Sequence, residues 1–304
     1  HRDLHSFPTR RSSDLVGKLW LAQWKQPRYK TAGIIHIMLF AGFIILSIRS
    51  TSLVILGIDD SFVFPGLRGT LGHVYSVVKD YAATLVLVAA VMAAYRRVVV
   101  KPKRYDVPER YGKPHTAEAL FVLGMICGLV ITESLFEGTH AAAAVQKGMA
   151  SEFIAPLTMA WLFKVTLTAL PIGALQGTHV VAYYLHDLIF FSFLCFLPMG
   201  KHFHVITSLF NVFFMKLDKG TVKPVKWGVS DEKLDELESF GVKTFEDFTW
   251  KHMLDFYSCA DCGRCSDQCP ANAVGRPLSP RFISIKARDY AFSQTGRASC
   301  RERV

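Results

Sequence analysis

Residues 259–270 read CADCGRCSDQCP, which places four cysteines within eleven residues in the spacing C-x2-C-x2-C-x3-C-P. Thiolate is a soft ligand, so cysteines this close together are typical of a site for soft metal ions. Small residues such as Ala260 and Gly263 let backbone N–H groups approach the sulfurs. Two further cysteines, Cys127 and Cys195, lie alone in apolar runs, and we expect them to be buried packing residues.

This spacing is that of bacterial ferredoxins, in which the fourth cysteine, followed by proline, binds a different cluster from the first three. It assigns Cys259, Cys262 and Cys265 to a first [4Fe–4S] cluster and Cys269 to a second. Zinc is the alternative, but zinc sites usually draw their ligands from two separated pairs, and the sequence shows no second pair. The motif therefore predicts two [4Fe–4S] clusters in the full-length protein, with further ligands beyond residue 295.

Four long apolar stretches precede the cysteine motif, and each is long enough to cross a membrane as a helix. A fifth, residues 153–170, contains Lys164, and we expect it to lie on the outer membrane interface. The predicted fold class is mainly α, a polytopic transmembrane bundle over residues 16–215 followed by a small, truncated, α-helical ferredoxin-like domain over residues 251–295. The four expected helices span about residues 31–53, 73–95, 117–136 and 180–198.

Basic residues lie mainly in the segments between the apolar stretches, and the formal net charge is +10. Loops rich in Lys and Arg are cytoplasmic by the positive-inside rule. The rule predicts a multi-pass protein of the cytoplasmic membrane of a prokaryote, with the cysteine motif on the cytoplasmic side. Nucleic-acid binding is not expected, because it needs basic residues on a soluble surface. The charged segments include Arg96, Arg97, Lys101, Lys103 and Arg104, and later Lys201, Lys216 and Lys219.

Both ends of the chain resemble translated DNA adapters. Residues 5–13, HSFPTRRSS, and residues 296–304, GRASCRERV, can be encoded by DNA stretches that are reverse complements of each other. We therefore expect residues 1–15 and 296–304 to be adapter-derived and exclude them from fold prediction. Without them, 29 basic residues face 22 acidic ones, a balance of +7.

Residues 216–250 have the mixed charge of a soluble linker, and we expect two short helices around them. Ser230 can cap the first, which Gly241 would end, and Thr249 can cap the second. The second helix would present one apolar face and lead directly into the cysteine motif. That face consists of Trp250, Met253, Leu254 and Tyr257.

Histidines in the apolar stretches are candidate heme ligands. His186 and His204 are eighteen residues apart, so one continuous helix would present both on the same face about 27 Å apart. Such a stripe is what the axial ligands of two stacked hemes need. His36 matches the expected depth of His204, and His73 is a possible partner for His186. For each histidine, a snorkelling or hydrogen-bonded side chain is the alternative.

Ionisable residues also occur in or near the predicted spans. Asp80 beside Lys79 would suit a quinone or proton route, and a locally paired interfacial couple is the alternative that the sequence favours. The other members of this group are Glu133, Glu137 and Asp187.

Three stretches together resemble a family of membrane-bound iron–sulfur oxidoreductases that join a nitrate-reductase-gamma-like cytochrome b domain to a heterodisulfide-reductase-like iron–sulfur domain. They are HIMLFAGF at residues 36–43, YYLHDLIFFSFLCFLPMGKHFHVITSLFNVFF at residues 183–214, and FTWKHMLDFYSCADCGRCSDQCPANAVGRPLSP at residues 248–280. The resemblance implies electron transfer between a cytoplasmic donor and the membrane quinone pool. The donor would be an electron-transferring flavoprotein or a thiol–disulfide couple.

The resemblance also implies heme b ligands. His36 and His204 would hold an inner heme, and His186 would hold an outer one. The family has a second histidine ten residues after the first, where this chain has Leu46, so the second heme has only His73 as a substitute ligand. Two functions of other classes remain open: a membrane anchor that presents a ferredoxin module without heme, and a transporter that uses the charges within the membrane.

Overall fold

The structure, a computed structural model, describes residues 10–108, 116–217, 242 and 244–301. These residues are mainly helical, and no strand occurs among them. Their α-helices, numbered in chain order, are α1 (Arg10–Leu15), α2 (Lys30–Leu56), α3 (Thr70–Tyr95), α4 (Thr116–Gln146), α5 (Met159–Leu167), α6 (Ile172–Phe196), α7 (His204–Phe213), α8 (Trp250–Tyr257), α9 (Arg264–Asp267), α10 (Pro270–Ala273) and α11 (Pro280–Arg301).

The chain divides into two units. One, the bundle unit, lies within residues 26–102 and 113–196 and contains α2 to α6. The other, the cysteine unit, contains the remaining helices and the segment 103–108 that follows α3 in the chain. The predicted division at residue 215 remains a prediction, and most of the predicted linker, including the helix expected from Ser230, lies outside the described residues.

Four helices in the described part of the chain are long and apolar enough to cross a membrane, as expected. They are longer than predicted. The third continues to Gln146 through the run Ala141–Ala144, because alanine has the highest helix propensity. The fourth begins at Ile172, directly after Pro171, because proline is well tolerated at a helix start.

The faces of α3 show why this unit suits a lipid environment. Its interior-facing side carries small residues such as Ala82 and Ala89 together with the charged pair Lys79 and Asp80, all buried. Its outward side is apolar, an arrangement opposite to that of a water-soluble helix. The outward residues are Leu71, Val74, Val78, Tyr81, Leu85, Val88 and Met92, each at least 41% exposed.

Small residues allow close packing between the bundle helices. A side chain at Gly42 of α2 would collide with Val86 of α3, and one at Gly138 of α4 would lie 2.8 Å from the carbonyl oxygen of Ala160 in α5. Such stripes of small residues are typical of helix contacts in membranes. Leu46, at the position where the resembled family has a second histidine, packs in an apolar core with Ala83, Val86 and Val130.

The fifth apolar stretch forms α5, a helix of nine residues that begins at a Thr158 cap. A helix of this length rises only about 14 Å, less than half the hydrocarbon thickness of a bilayer. It therefore does not span, as expected, and its location on the outer interface remains a prediction.

The structure corrects two expectations about the fourth long helix. His186 and His204 do not share one helix, because α6 ends at Phe196 and Gly200 is extended (φ −156°, ψ −158°) before α7 begins at His204. Pro198 contributes to this break, because it has no N–H to donate. Cys195 is exposed rather than buried. An apolar run does not specify burial here, since a membrane helix is apolar on its outer face as well.

In the cysteine unit, α7 packs against α8. Lys251 Nζ lies 2.6 Å from Asn211 Oδ1, the Thr207 hydroxyl donates to the Tyr257 carbonyl at 3.4 Å, and the rings of Phe214 and Trp250 meet edge to face. The predicted Thr249 cap of α8 is confirmed, and His252 completes a capping box with it. The buried apolar residue of α8 is Phe256, which the predicted apolar face omitted.

Candidate iron–sulfur site

The cysteine motif begins two residues after the end of α8. Two residues of the loop have left-handed backbone, Asp261 with φ 52° and Gly263 with φ 74°. Cys265 then lies in the short helix α9, and Cys269 immediately precedes α10, whose first residue is Pro270. Cys262 and Cys265 are exposed, whereas Cys259 and Cys269 are half-buried.

Gly263 is required by space as well as by conformation. A Cβ atom there would collide with the carbonyl oxygen of Arg104 and lie 3.3 Å from the Arg104 Cβ. The loop that carries Cys262 therefore packs directly on the segment 103–108, and only glycine allows this approach.

A buried ion pair also holds the cysteine loop against the segment 103–108. Arg281 Nε donates to Asp261 Oδ1 at 2.6 Å, and both side chains are almost fully buried. The Arg281 guanidinium also donates to the carbonyl oxygens of Arg104 at 2.8 Å and Asp106 at 3.0 Å. One planar guanidinium thus fixes the cysteine loop and the segment 103–108 together.

Arg288 places a positive charge behind the first cysteine. Its side chain is 2% exposed, and Nη1 donates to the Cys259 carbonyl oxygen at 3.2 Å. Burial raises the pKa of the Cys259 thiol, and burial raises that of Cys265 as well. Without a metal these two thiols are therefore held in the protonated form at neutral pH, and metal binding has to displace their protons.

The donor set fits an iron–sulfur cluster. Within the described ranges, no three His, Cys, Asp or Glu side chains converge as ligands of one metal ion. A cluster instead takes thiolates distributed over several iron atoms, and all the candidate donors of this loop are thiols. The assignment of Cys259, Cys262 and Cys265 to one cluster and of Cys269 to another remains a prediction.

Two of the candidate heme ligands, His204 and His186, place Nδ1 within hydrogen-bond distance of a backbone carbonyl oxygen, and His204 does so within its own segment. The Nδ1 of His204 lies 2.7 Å from the carbonyl oxygen of Lys201, so Nδ1–H donates and Nε2 carries the lone pair. His36 is half-buried two turns into α2, and His73 is exposed in the first turn of α3. His36 and His73 belong to the bundle unit and His204 to the cysteine unit.

His186 is 1% exposed and lies among polar partners from two other helices. Its Nε2 lies 3.2 Å from the Ser50 hydroxyl, and its Nδ1 lies 3.1 Å from the Leu129 carbonyl oxygen and 3.3 Å from the Thr132 hydroxyl. A heme iron at Nε2 would have to displace Ser50. In this arrangement His186 fits a hydrogen-bonded core histidine better than a heme ligand.

Two groups of polar residues in the bundle unit were not predicted as groups. The rings of His140 and His179 lie 5.3 Å apart beside a cavity of about 410 Å³. Lys79 and Asp80 are paired, but they are not the local interfacial couple that the sequence favoured. They are buried and belong to a larger ionic cluster with Arg49, Glu133 and Glu137. The sequence marked Lys79, Asp80, Glu133 and Glu137 as ionisable residues in or near the spans. It did not show which of them meet, because the partners come from helices far apart in the chain.

Two curated relatives match almost the whole chain. The chain is 31% identical over 286 residues to the probable iron-sulfur-binding oxidoreductase FadF of Bacillus subtilis, covering 92% of this chain and 37% of that protein. It is 28% identical over 289 residues to the EtfAB:quinone oxidoreductase of Syntrophomonas wolfei, covering 91% of this chain and 38% of that protein. The chain thus spans little more than a third of the length of these relatives.

A third relative matches a shorter stretch. The probable membrane-anchored ferredoxin of Chromohalobacter salexigens is 44% identical over 57 residues, which is 18% of this chain and 8% of that protein. No protein-family model matches the chain, and no solved structure matches it. The relatives are thus two oxidoreductases, one of them named as probably iron–sulfur-binding, and a probable membrane-anchored ferredoxin.

Proposed function

We propose that the chain is part of a membrane-bound oxidoreductase that passes electrons between cytoplasmic [4Fe–4S] clusters and the quinone pool through heme b. Support comes from four helices able to cross a membrane, followed in the same chain by a cysteine loop that fits a cluster. The similarity to an EtfAB:quinone oxidoreductase supports quinone as one partner and an electron-transferring flavoprotein as the other. A thiol–disulfide couple is the alternative soluble partner.

The observation that carries this proposal is the link between His204 and the cysteine loop. His204 begins α7, and Thr207, one turn later, donates to the Tyr257 carbonyl oxygen two residues before Cys259. One helical turn rises about 5 Å and two residues reach at most about 7 Å, so the path is short. A ligand of the proposed inner heme and a ligand of the first cluster therefore belong to one packed unit.

Clusters bound here would supply one-electron carriers. Cys259, Cys262 and Cys265 would hold the first, and Cys269 would hold one iron of the second. Gly263 lets the loop approach the segment 103–108, and Arg288 places a positive charge beside the Cys259 carbonyl. That charge opposes the negative charge of a thiolate-ligated cluster.

The same packing supports the cytoplasmic location of the clusters. Arg281 ties the cysteine loop to the segment 103–106, which joins α3 to α4. This connection belongs to the most basic stretch of the chain, which the positive-inside rule assigns to the cytoplasm.

The ligands proposed for heme b are His36 and His204, and those for a second heme are His186 and His73. Bound heme would supply an electron carrier within the bundle. Leu46 in an apolar core and the hydrogen bonds of His186 favour one heme over two.

The cavity beside His140 and His179 has the size and mixed lining that a quinone headgroup needs.

A membrane anchor that presents a ferredoxin module without heme is the second candidate. It is favoured by the similarity to a probable membrane-anchored ferredoxin. In such a protein His204 would serve only to begin α7, and the clusters would react with a separate enzyme.

Replacement of His204 separates the two functions. In the full-length protein, His204→Ala should remove the heme b absorbance and stop quinone reduction by the clusters, while the cluster signals in electron paramagnetic resonance are retained. His202→Ala, two residues away, is the matched control and should keep both. Undiminished quinone reduction by His204→Ala would exclude the heme path. Cluster signals in a wild-type protein that has no heme b absorbance would favour the anchor.

A further inference from the structure

The bundle unit contains a buried ionic cluster that the proposed electron path does not use. Arg49 Nη2 lies 2.9 Å from Glu137, and Lys79 contacts the same carboxylate directly. Lys79 Nζ also lies 3.1 Å from Asp80, whose other oxygen accepts the Ala155 N–H at 2.9 Å. Lys79 and Asp80 are each 4% exposed.

These charges lie well inside the long helices. Arg49 is seven residues before the end of α2, and Glu133 is thirteen residues before the end of α4. At 1.5 Å per residue these positions are about 10 Å and about 20 Å from the helix ends. Ionisable groups at such depth are costly, and they usually mark pathways for ions or protons.

The fixed charges of the cluster do not balance. Two cations, Arg49 and Lys79, face three carboxyl groups, so full ionisation leaves one negative charge uncompensated. An unpaired buried charge costs several kcal/mol, more than binding a proton does near neutral pH. The other titratable groups that face the cluster are Tyr75 of α3, Glu152 after α4 and His186 of α6, whose ring nitrogens lie within hydrogen-bond distance of Ser50, Thr132 and the Leu129 carbonyl oxygen.

Glu133 is the least compensated carboxyl group. It is 3% exposed, and its Oε1 accepts no hydrogen bond. Arg49 Nε and Lys79 Nζ approach this oxygen only to 3.5 Å and 3.8 Å, beyond the usual hydrogen-bond distance.

We propose that Arg49, Lys79, Asp80, Glu133 and Glu137 form a binding site for one exchangeable proton within the membrane bundle. The proton neutralises the third carboxyl group, and its departure leaves the cluster with one excess negative charge. The site is a step by which a proton reaches the interior of the bundle. This inference stands independently of the electron-transfer function proposed above.

Infrared spectroscopy of the chain in lipid vesicles tests the site without any redox partner. A protonated carboxyl group absorbs apart from a carboxylate, and its band shifts in D2O. At pH 7, the infrared spectrum of the wild type should contain one such band that the spectrum of Glu133→Gln lacks, because the variant leaves two cations facing two carboxylates. Glu133→Asp, which keeps the number of acids, should retain the band, as should Glu152→Gln, which removes an exposed carboxyl group.

Two results would overturn the proposal. One is a wild-type spectrum at pH 7 in which every exchangeable band also occurs in the spectrum of Glu133→Gln. The other is loss of the band when sodium chloride is added at constant pH, which would show that the cluster binds a metal cation instead. If Glu133→Gln does not fold, the pH titration and the D2O shift of the wild-type band decide the question. Both are compared with those of Glu133→Asp. Asp187→Asn serves to subtract the carboxyl group of α6.

Discussion

At the residue scale, Gly263 meets two requirements that no other residue type meets together. Its φ of 74° is left-handed, and a Cβ atom would collide with Arg104. The motif itself could be found in the sequence, because cysteine spacing is a local signal. The partners of the loop could not, because Arg104 lies far from it in the chain and Arg281 belongs to a separate helix.

Gly263→Ala should therefore reduce cluster assembly strongly. Left-handed backbone alone costs a non-glycine residue about 1–2 kcal/mol, and the collision adds to this. Gly275→Ala is the matched control, because Gly275 has φ 77° but open space around it. Iron and sulfide content of the purified variants should fall clearly further for Gly263→Ala. Equal losses would show that close approach to Arg104 does not matter.

The buried pair of Asp261 and Arg281 should be more important than surface charges of the same unit. Arg281→Met leaves Asp261 without its cation and several carbonyl groups without a donor, at a cost of about 3 kcal/mol. The clusters of this variant should be lost at lower temperature than those of the wild type, as followed by visible absorbance. Arg276→Met, at an exposed position, should behave as wild type. Similar loss temperatures for both variants would contradict the role assigned to the pair.

Burial of the Cys259 thiol predicts a pH-dependent reactivity. Its raised pKa leaves little thiolate at neutral pH, so in cluster-free protein alkylation should be slower at Cys259 than at exposed Cys262. The rate at Cys259 should rise as pH increases through its raised pKa, because the thiolate is the reactive form. Mass spectrometry of alkylated peptides measures both sites. Equal rates at pH 7 would show that Cys259 is not shielded.

At the element scale, hydrophobic runs predicted the four long helices but not the break between α6 and α7. Composition could not show the break at Gly200, because the residues on both sides remain apolar. The consequence is large, since α7 with His204 is a separate helix that packs on α8. Nor could composition identify which face of α6 points outward, which is why Cys195 was expected to be buried.

Two glycines of α4 provide a matched test of helix packing. Gly138→Ala would place its Cβ 2.7 Å from Phe163 Cβ, whereas Gly124 has open space around it. Gly138→Ala should destabilise the protein by about 1–3 kcal/mol, as overpacking does. Gly124→Ala should be neutral or stabilising by up to about 1 kcal/mol, because alanine is the better helix former. Thermal unfolding in detergent compares them, and a stable Gly138→Ala variant would refute the close α4–α5 contact.

At the scale of the whole molecule, the four long helices followed from local patterns, and local spacing predicts the type of cluster. The ionic cluster could not be predicted in this way, because it requires three helices to be brought together. Charge asymmetry of the loops predicts sidedness, and the structure adds that the cysteine loop is tied to the segment 103–106. The loop joining α2 to α3 lies at the other ends of those helices and is expected on the outer side.

Reporter fusions check this topology. A fluorescent protein fused after residue 104 should fold and fluoresce, because that loop is predicted to be cytoplasmic. Alkaline phosphatase fused after residue 60 should be active, because it folds only outside the cytoplasm. The opposite pattern would reverse the proposed orientation and place the clusters outside.

The central claim is that thiolate-bound iron clusters and histidine-bound heme belong to one electron path. Its most direct test is an anaerobic reduced-minus-oxidised spectrum of the intact full-length protein, reduced through its clusters and then mixed with quinone. We predict heme b bands that appear with cluster reduction and disappear with quinone. Clusters that reduce fully in a protein containing no heme would contradict the account.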